Sequence, residues 1–171
     1  MTSILVASAR GSLQALNRIV SLLRGRDFQI ASLTTARSEV GDVVRVTIDV
    51  DTLRTRPMRV ASCLDKLEEV WSVRQFQPSE LVRRELALVK VTAVAVACES
   101  VSTLIASGSA RVIALNGETA ILEIAGQAED VHDAVGALPQ ASIVESARIG
   151  PLVMSRGSQP TTDAAPPQES R

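Results

Sequence analysis

The pattern of apolar residues predicts the same order of strands and helices twice, at a spacing of roughly 80 residues. This duplication restricts the possible folds more than any other feature of the sequence. Each copy is typical of strand, helix, strand, strand, helix, strand, over residues 3–78 and again over 86–150. That order is the split βαβ, or ferredoxin-like, plan, in which an antiparallel sheet carries two helices on one face. The sequence therefore predicts an α+β fold of two tandem ferredoxin-like βαββαβ units.

Local periodicities support this assignment. Between Val44 and Val50, apolar residues alternate with polar ones, which predicts a strand with one buried and one wet face. Ser12 is a candidate N-cap for an amphipathic helix. The apolar positions that recur at helical spacing after it are Leu13, Leu16, Ile19, Val20 and Leu23. Asn116-Gly117 predicts a two-residue hairpin turn in the second copy.

Shifts in composition set the expected boundaries. We predict a first domain over residues 1–78, a polar linker over 79–85 and a second domain over 86–154. Residues 155–171 are rich in Ser, Gln, Pro and Thr and predict a disordered tail. A unit of about 70 residues buries a low fraction of its surface, and one sheet face lacks helices, so we expect the chain to form an oligomer.

Charge and composition argue against several partners. The 18 Lys and Arg nearly balance the 19 Asp and Glu, whereas nucleic-acid binders carry a basic excess. Two Phe, one Trp and no Tyr leave few platforms for base stacking. No apolar run is long enough to cross a bilayer and the N-terminus lacks a signal-peptide pattern. We expect a cytoplasmic protein that binds neither nucleic acid nor membrane.

Residues that carry catalytic or metal chemistry are sparse. His132 is the single histidine, and its acidic neighbours Glu129, Asp130 and Asp133 are scattered around a predicted helix, so we expect no metal site. Cys63 and Cys98 are expected to be separate buried thiols. The nucleophile elbow and the glycine-rich phosphate loops are both missing from the sequence. We therefore predict no catalytic residues.

An arginine cluster and a turn each have both a purely structural and a functional interpretation. Arg54, Arg56 and Arg59 form either a solvated helix start or a contact with an acidic partner surface. The Arg10-Gly11-Ser12 turn leads a strand straight into a helix, where free N–H groups and the helix dipole favour an anion such as a carboxylate. An ordinary capped helix explains the same turn.

Several segments, in order and at close to the expected spacing, resemble the regulatory (small) subunit of acetolactate synthase. The resemblance covers about residues 3–157, and its most distinctive run opens the second unit. The matching segments are Ala15–Ile19, Phe28–Thr34, Val46–Ile48, Arg84–Val91, Ile143–Arg148 and Ser155–Gly157.

The resemblance implies an N-terminal ACT domain, a C-terminal ferredoxin-like domain and no enzymatic activity of its own. It implies binding to a separate catalytic subunit that uses thiamine diphosphate, magnesium and FAD, while this chain binds no cofactor. Members raise the activity of that subunit in branched-chain amino-acid synthesis and usually confer feedback by valine. Their ACT domains pair into homodimers with the amino acid at the interface, its carboxylate held by the turn before the first helix.

The effector site implied by this resemblance is altered here. It comprises Gly11, Ser12, Leu13, Gln14, Ala15 and Leu16, together with Gln29 and Ile30. The family usually has Asn where Gly11 stands and Gly where Gln14 stands, so a hydrogen bond is lost and a bulky side chain is added. A lost buried hydrogen bond costs about 1–3 kcal/mol. We expect valine feedback to be weak, absent or redirected, and activation to survive.

Two alternatives remain open from the sequence. The first is a stand-alone ACT-domain sensor of an amino acid or metabolite, which shares the fold and the turn. The second is a ferredoxin-like enzyme with His132 as general base. The sequence also leaves open whether the pathway served is primary or specialised.

Overall fold

The computed structural model describes residues 2–38 and 42–162. These divide into two compact units, one formed by residues 2–38, 42–82 and 152–162 and the other by Arg83–Pro151. No helix in these two described stretches combines the length and the apolar character that crossing a membrane requires.

The first unit contains a four-stranded antiparallel sheet with both helices on one face. Its elements are β1 (Thr2–Arg10), α1 (Leu13–Gly25), β2 (Ile30–Arg37), β3 (Val43–Asp51), α2 (Pro57–Leu64) and β4 (Val70–Phe76). The strand order is β2-β3-β1-β4, so β2 and β4 are the edges. Ile19 and Leu23 of α1 and Val60 and Leu64 of α2 pack on the alternate residues of β1 and β3 that point to this side.

The second unit repeats the plan. Its elements are β5 (Leu81–Thr92), α3 (Glu99–Ala106), β6 (Arg111–Leu115), β7 (Thr119–Gly126), α4 (Ala128–Gly136) and β8 (Ile143–Ser155). The strand order is β6-β7-β5-β8, and its core joins Val101 and Val131 to residues of β5 and β7. The predicted hairpin is present, but residues 116–118 connect its strands and neither Asn116 nor Gly117 has a positive φ, so the turn is not the two-residue type that was predicted. The Asn116 side chain accepts from the N–H groups of Glu118 and Thr119 at 2.9 and 2.6 Å. The predicted fold of two tandem ferredoxin-like units is confirmed.

The predicted linker over residues 79–85 differs from the structure. A short 3-10 helix, Pro78–Glu80, leads directly into β5 at Leu81. Leu81 is buried with Ile4, Val6 and Phe76. Arg83, Arg84 and Glu85 belong to this strand. Glu85 pairs with Arg83 beside it and with Arg148, which lies far away in the sequence.

The face of β3 that was predicted to be wet is buried instead. Thr47 is 4 % exposed and Asp49 is 2 % exposed. Arg45 donates a hydrogen bond to the carbonyl of Val153, and burial lowers the pKa of the Arg45 guanidinium. The alternating pattern identifies a strand correctly, but it does not show that residues near the C-terminus reach its polar face.

Residues 152–162, here called the C-terminal segment, are part of the first unit. Arg156 donates its backbone N–H to the carbonyl of Glu80 at 2.9 Å and its Nε to that of Leu81 at 3.1 Å. Thr161 is 5 % exposed and its hydroxyl accepts from the N–H of Ser155 at 2.8 Å. The disordered tail predicted from Ser155 is therefore wrong as far as residue 162, and residues 163–171 lie outside the described residues.

The apolar stripe predicted for α1 is only partly buried. Leu13 is 85 % and Val20 is 47 % exposed, whereas Ala15, Ile19 and Leu23 are buried. The buried set follows a spacing of four residues, so Leu13 and Val20 lie on a neighbouring side of the helix. This leaves large apolar side chains on the surface of α1.

Candidate functional site

The backbone fixes the turn between β1 and α1. The N–H of Gly11 donates to the carbonyl of Asp42 at 2.9 Å, and the N–H of Ser12 donates to that of Arg10 at 2.8 Å. Ser12 has the extended conformation of an N-cap, and its hydroxyl accepts from the N–H of Ala15 at 3.2 Å. The predicted cap is confirmed.

Two backbone donors at the start of α1 are available to a ligand. Within residues 2–38 and 42–162, nothing accepts a hydrogen bond from the N–H of Leu13 or of Gln14. Both side chains are exposed. The positive end of the helix dipole adds to these donors, so the geometry is compatible with a carboxylate.

The carboxylate of Asp42 lies beside this turn. A β-carbon added to Gly11 would collide with the Asp42 carboxylate and would lie 3.3 Å from its carbonyl carbon. The carboxylate therefore stands next to the place where a side chain at position 11 would begin. Its negative charge opposes the binding of a second carboxylate at the turn.

Gln29 directly precedes β2, and Ile30 is the first residue of that strand. The N–H of Gln29 donates to the buried Thr55 hydroxyl at 2.8 Å, and its side-chain amide donates to the Asp27 carboxylate at 3.2 Å. Ile30 packs against the core of the first unit, as does Leu16 of α1. Of the two predicted site residues Gln29 and Ile30, only Gln29 has a polar side chain.

The structure does not bring these two parts of the predicted site together within one chain. Arg10, next to the turn, pairs with Val43, whereas Ile30 pairs with Val50 at the other end of β3. Val43 and Val50 are seven residues apart along β3, which corresponds to about 24 Å at the usual rise of ~3.4 Å per residue. Gly11–Leu16 and Gln29–Ile30 therefore lie at opposite ends of one sheet.

Sequence reasoning missed a buried ionic cluster in the second unit. The Glu85 side chain is 8 % exposed and accepts from Nη2 of Arg83 at 2.9 Å. It also accepts from Nε and Nη2 of Arg148 at 2.8 and 2.6 Å. Burial alone raises the pKa of the Glu85 carboxyl, but the hydrogen bonds and charges of Arg83 and Arg148 outweigh it and hold this pKa below its usual value.

Gly150 completes this cluster. A β-carbon at position 150 would lie 2.5 Å from Cγ and 3.0 Å from Cβ of Glu85. The available signal was that Arg84–Val91 and Ile143–Arg148 both contribute to the resemblance. The structure shows that these two segments contact each other through Glu85 and Arg148.

The other candidates for catalytic or metal chemistry in the sequence are His132 and the two cysteines. His132 lines an open pocket of about 450 Å³ with Glu129, Asp133 and Arg148. No group of three or more His, Cys, Asp or Glu in the described part of the chain is arranged to hold a metal ion. Cys63 and Cys98 carry free thiols in different units.

Comparison with known proteins points to one family. The family model described as the small subunit of acetolactate synthase matches residues 84–157. A probable acetolactate synthase small subunit of Methanothermobacter thermautotrophicus is 32 % identical over 147 residues, covering 84 % of this chain and 86 % of that protein. The acetolactate synthase small subunit of Mycolicibacterium smegmatis is 30 % identical over 155 residues, covering 91 % and 89 %.

A solved structure agrees with these relatives. The crystal structure of the acetolactate synthase small subunit from Thermotoga maritima matches with a TM-score of 0.82 at 26 % identity, covering 93 % of this chain and 99 % of that one. The matches extend over both ferredoxin-like units and include the segments that meet at Glu85 and Arg148. This chain belongs to the acetolactate synthase small subunit family.

Proposed function

We propose that this chain is a non-catalytic regulatory subunit that binds a separate acetolactate synthase catalytic subunit and raises its activity. The observation that carries this proposal is the match to proteins named acetolactate synthase small subunit over 84–91 % of this chain. The role belongs to branched-chain amino-acid biosynthesis. Thiamine diphosphate, magnesium and FAD are bound by the catalytic partner, and this chain binds none of them.

The proposal includes a homodimer formed through the first unit. Gly11–Leu16 and Gln29–Ile30 lie at opposite ends of one sheet, so a single chain cannot use both on one small ligand. Two copies related by a two-fold axis beside β2 would bring the turn of one copy to the level of Gln29 in the other. β2 is an edge strand, and Leu33 on it is 37 % exposed.

Feedback by valine is weak or absent in this proposal. Gly11 offers no side chain to a ligand, and the Asp42 carboxylate lies beside it. Gln14 places a bulky side chain next to one of the two available N–H groups. These features leave the anion-binding geometry of the turn in place but oppose the binding of an amino-acid carboxylate.

Complex formation tests the main proposal. Analytical ultracentrifugation of this chain mixed with purified acetolactate synthase catalytic subunit from the same organism should show a larger species that contains both chains. A stand-alone sensor would sediment separately at every ratio, and that result would contradict the proposal.

Calorimetric titration with valine tests the effector part separately. We expect no saturable heat at valine concentrations that saturate a typical amino-acid site. Replacing Asp42 with Asn should strengthen any residual binding, because one charge that opposes the carboxylate is removed. Tight, saturable binding to the unmodified chain would contradict this part while leaving the proposal of a regulatory subunit intact.

A further inference from the structure

A basic pocket lies at the end of the first unit away from Gly11. It is formed by Arg26, Asp27 and Phe28, which follow α1, and by residues around the start of α2: Arg54, Thr55, Arg56 and Arg59. Its volume is about 240 Å³. We call it the arginine pocket. The sequence shows only three of these arginines close together, and the fold adds Arg26.

The backbone on both sides of the arginine pocket is fixed. The N–H of Gln29 donates to the Thr55 hydroxyl at 2.8 Å, and the N–H of Asp51 donates to the carbonyl of Gln29 at 3.1 Å. The N–H of Thr55 donates to the carbonyl of Asp51 at 2.9 Å, and Thr55 is 6 % exposed. The two loops that supply the arginines are thus joined by hydrogen bonds rather than placed side by side by chance.

The charges that line the pocket are not balanced by the protein. Across the described stretches 2–38 and 42–162, none of the four guanidinium groups takes part in an ion pair. Asp27 is the one acidic residue in the lining, and its carboxylate accepts from the neutral side-chain amide of Gln29. Four guanidinium groups and one carboxylate give the lining a net charge of +3, which favours the binding of an anion.

The start of α2 adds further positive potential. Arg56 is the N-cap residue and makes no side-chain capping bond, and Pro57 has no N–H to donate. The positive end of the dipole of this helix therefore lies among the arginines without a capping side chain to offset it. A guanidinium group can also donate two parallel hydrogen bonds to the oxygens of one carboxylate or phosphate group.

Size and shape limit the ligand. Pockets for drug-sized molecules usually exceed about 300 Å³, so this one fits a smaller molecule. Phe28 provides an apolar wall, and the Arg59 guanidinium lies 6.0 Å from the centre of its ring. We propose that the arginine pocket binds a small metabolite with a doubly charged oxyanion, either a phosphate group or a pair of carboxylates.

This inference does not depend on the proposed function. The arginine pocket lies within one unit of one chain and needs neither the catalytic partner nor a second copy. Within one chain it is also separate from Gly11–Leu16, since it lies at the level of Ile30 and not of Arg10 in the sheet.

Nuclear magnetic resonance of the full chain, at constant ionic strength, tests the proposal. Titration with inorganic phosphate, and in a second arm with succinate, should give saturable shifts limited to the amides of residues 26–29 and 53–60. A preference for phosphate identifies the phosphate group as the ligand chemistry, and a preference for succinate identifies paired carboxylates. Shifts that grow linearly, or that sodium chloride reproduces, would overturn the proposal.

Matched variants locate the site. Replacing Arg54 and Arg56 with Gln should weaken binding by about tenfold or more, because two charged hydrogen bonds are lost. The control replaces Arg84 and Arg111 with Gln, which removes the same charge from strands of the second unit and should leave the affinity unchanged. Equal loss in both variants would show general charge attraction and contradict a specific pocket.

The stability of the variants and the binding of an acidic peptide complete the test. All four arginines are exposed, so the variants should unfold at the same denaturant concentration as the parent chain. If the double variant does not fold, Arg59→Gln alone should still weaken binding. Saturable binding of hexaglutamate at this place, without binding of phosphate or succinate, would assign the pocket to an acidic protein segment and overturn the small-ligand proposal.

Discussion

At the residue scale, Glu85 joins two distant parts of the chain. Its carboxylate lies between Arg83 and Arg148 and is almost fully buried. A buried charge whose partner is removed becomes strongly destabilising. Removing Arg83 or Arg148 is therefore expected to destabilise the second unit.

The lowered pKa of Glu85 predicts how stability depends on pH. In the unfolded chain this carboxyl returns to its ordinary pKa near 4.5. The unfolded state then takes up the proton more readily, so the contribution is complete above that value and is lost as the pH falls through the lower pKa of the folded state. Urea unfolding midpoints measured down to about pH 3 should fall less steeply for Glu85→Gln than for the parent chain.

The control for this measurement is Glu123→Gln. Glu123 pairs with an exposed Arg111 at 2.7 Å, and such surface pairs contribute about 0–1 kcal/mol. Parallel pH profiles for the parent chain and Glu85→Gln would contradict the role assigned to Glu85.

Gly150 is expected to tolerate no side chain. Gly150→Ala places a methyl group 2.5 Å from Cγ of Glu85, and overpacking of this kind costs about 1–3 kcal/mol. Gly136→Ala is the matched control, because a β-carbon there meets nothing within 4 Å. Chemical unfolding should show a loss for Gly150→Ala alone, and equal stability of the two variants would disprove the close contact.

At the element scale, the strands and helices follow from local periodicity, whereas their ends and outer faces do not. The alternation over Val44–Val50 predicts β3 correctly. It gives no sign that Thr47 and Asp49 are buried, because the residues that cover a sheet face come from elsewhere in the chain. The same reason explains why 155–162 looked like a disordered tail from composition alone.

The C-terminal segment is expected to stabilise the first unit. A chain that ends at Ser155 loses the bonds from Arg156 to Glu80 and Leu81 and the buried Thr161. Its free energy of unfolding should fall by about 2 kcal/mol or more. Trp71 of β4, the single tryptophan, reports on this unit by fluorescence.

The control for this truncation ends at Thr162 and keeps every described contact of the segment. It should unfold at the same urea concentration as the full chain. Equal midpoints for the chains ending at Ser155 and Thr162 would show that residues 156–162 contribute nothing to the first unit.

At the scale of the whole molecule, the candidate effector site is divided between the two ends of one sheet. The sequence places Gly11–Leu16 and Gln29–Ile30 only 13 residues apart at their nearest members. It cannot show that α1 carries the chain to the opposite end of the sheet. The sequence thus names the candidate residues, and only strand register shows that one chain holds them at opposite ends of the sheet.

The proposed homodimer gives a further prediction. Leu33→Asp places a charge on the β2 edge, where the side chain is already partly exposed, so the chain should fold but dissociate into monomers. Leu53→Asp is the control, because Leu53 is 81 % exposed in the loop before α2. Sedimentation velocity should show monomers for the first variant and dimers for the second, and dimers for both would contradict pairing through β2.

The activity of the catalytic subunit provides the most direct test of the regulatory role. Purified acetolactate synthase catalytic subunit is titrated with this chain, and acetolactate formed from pyruvate is measured at each ratio, with unfolded chain as control. The account predicts that specific activity rises to a plateau with the folded chain and stays flat with the unfolded one. A flat response to the folded chain, or pyruvate turnover by this chain alone, would contradict it.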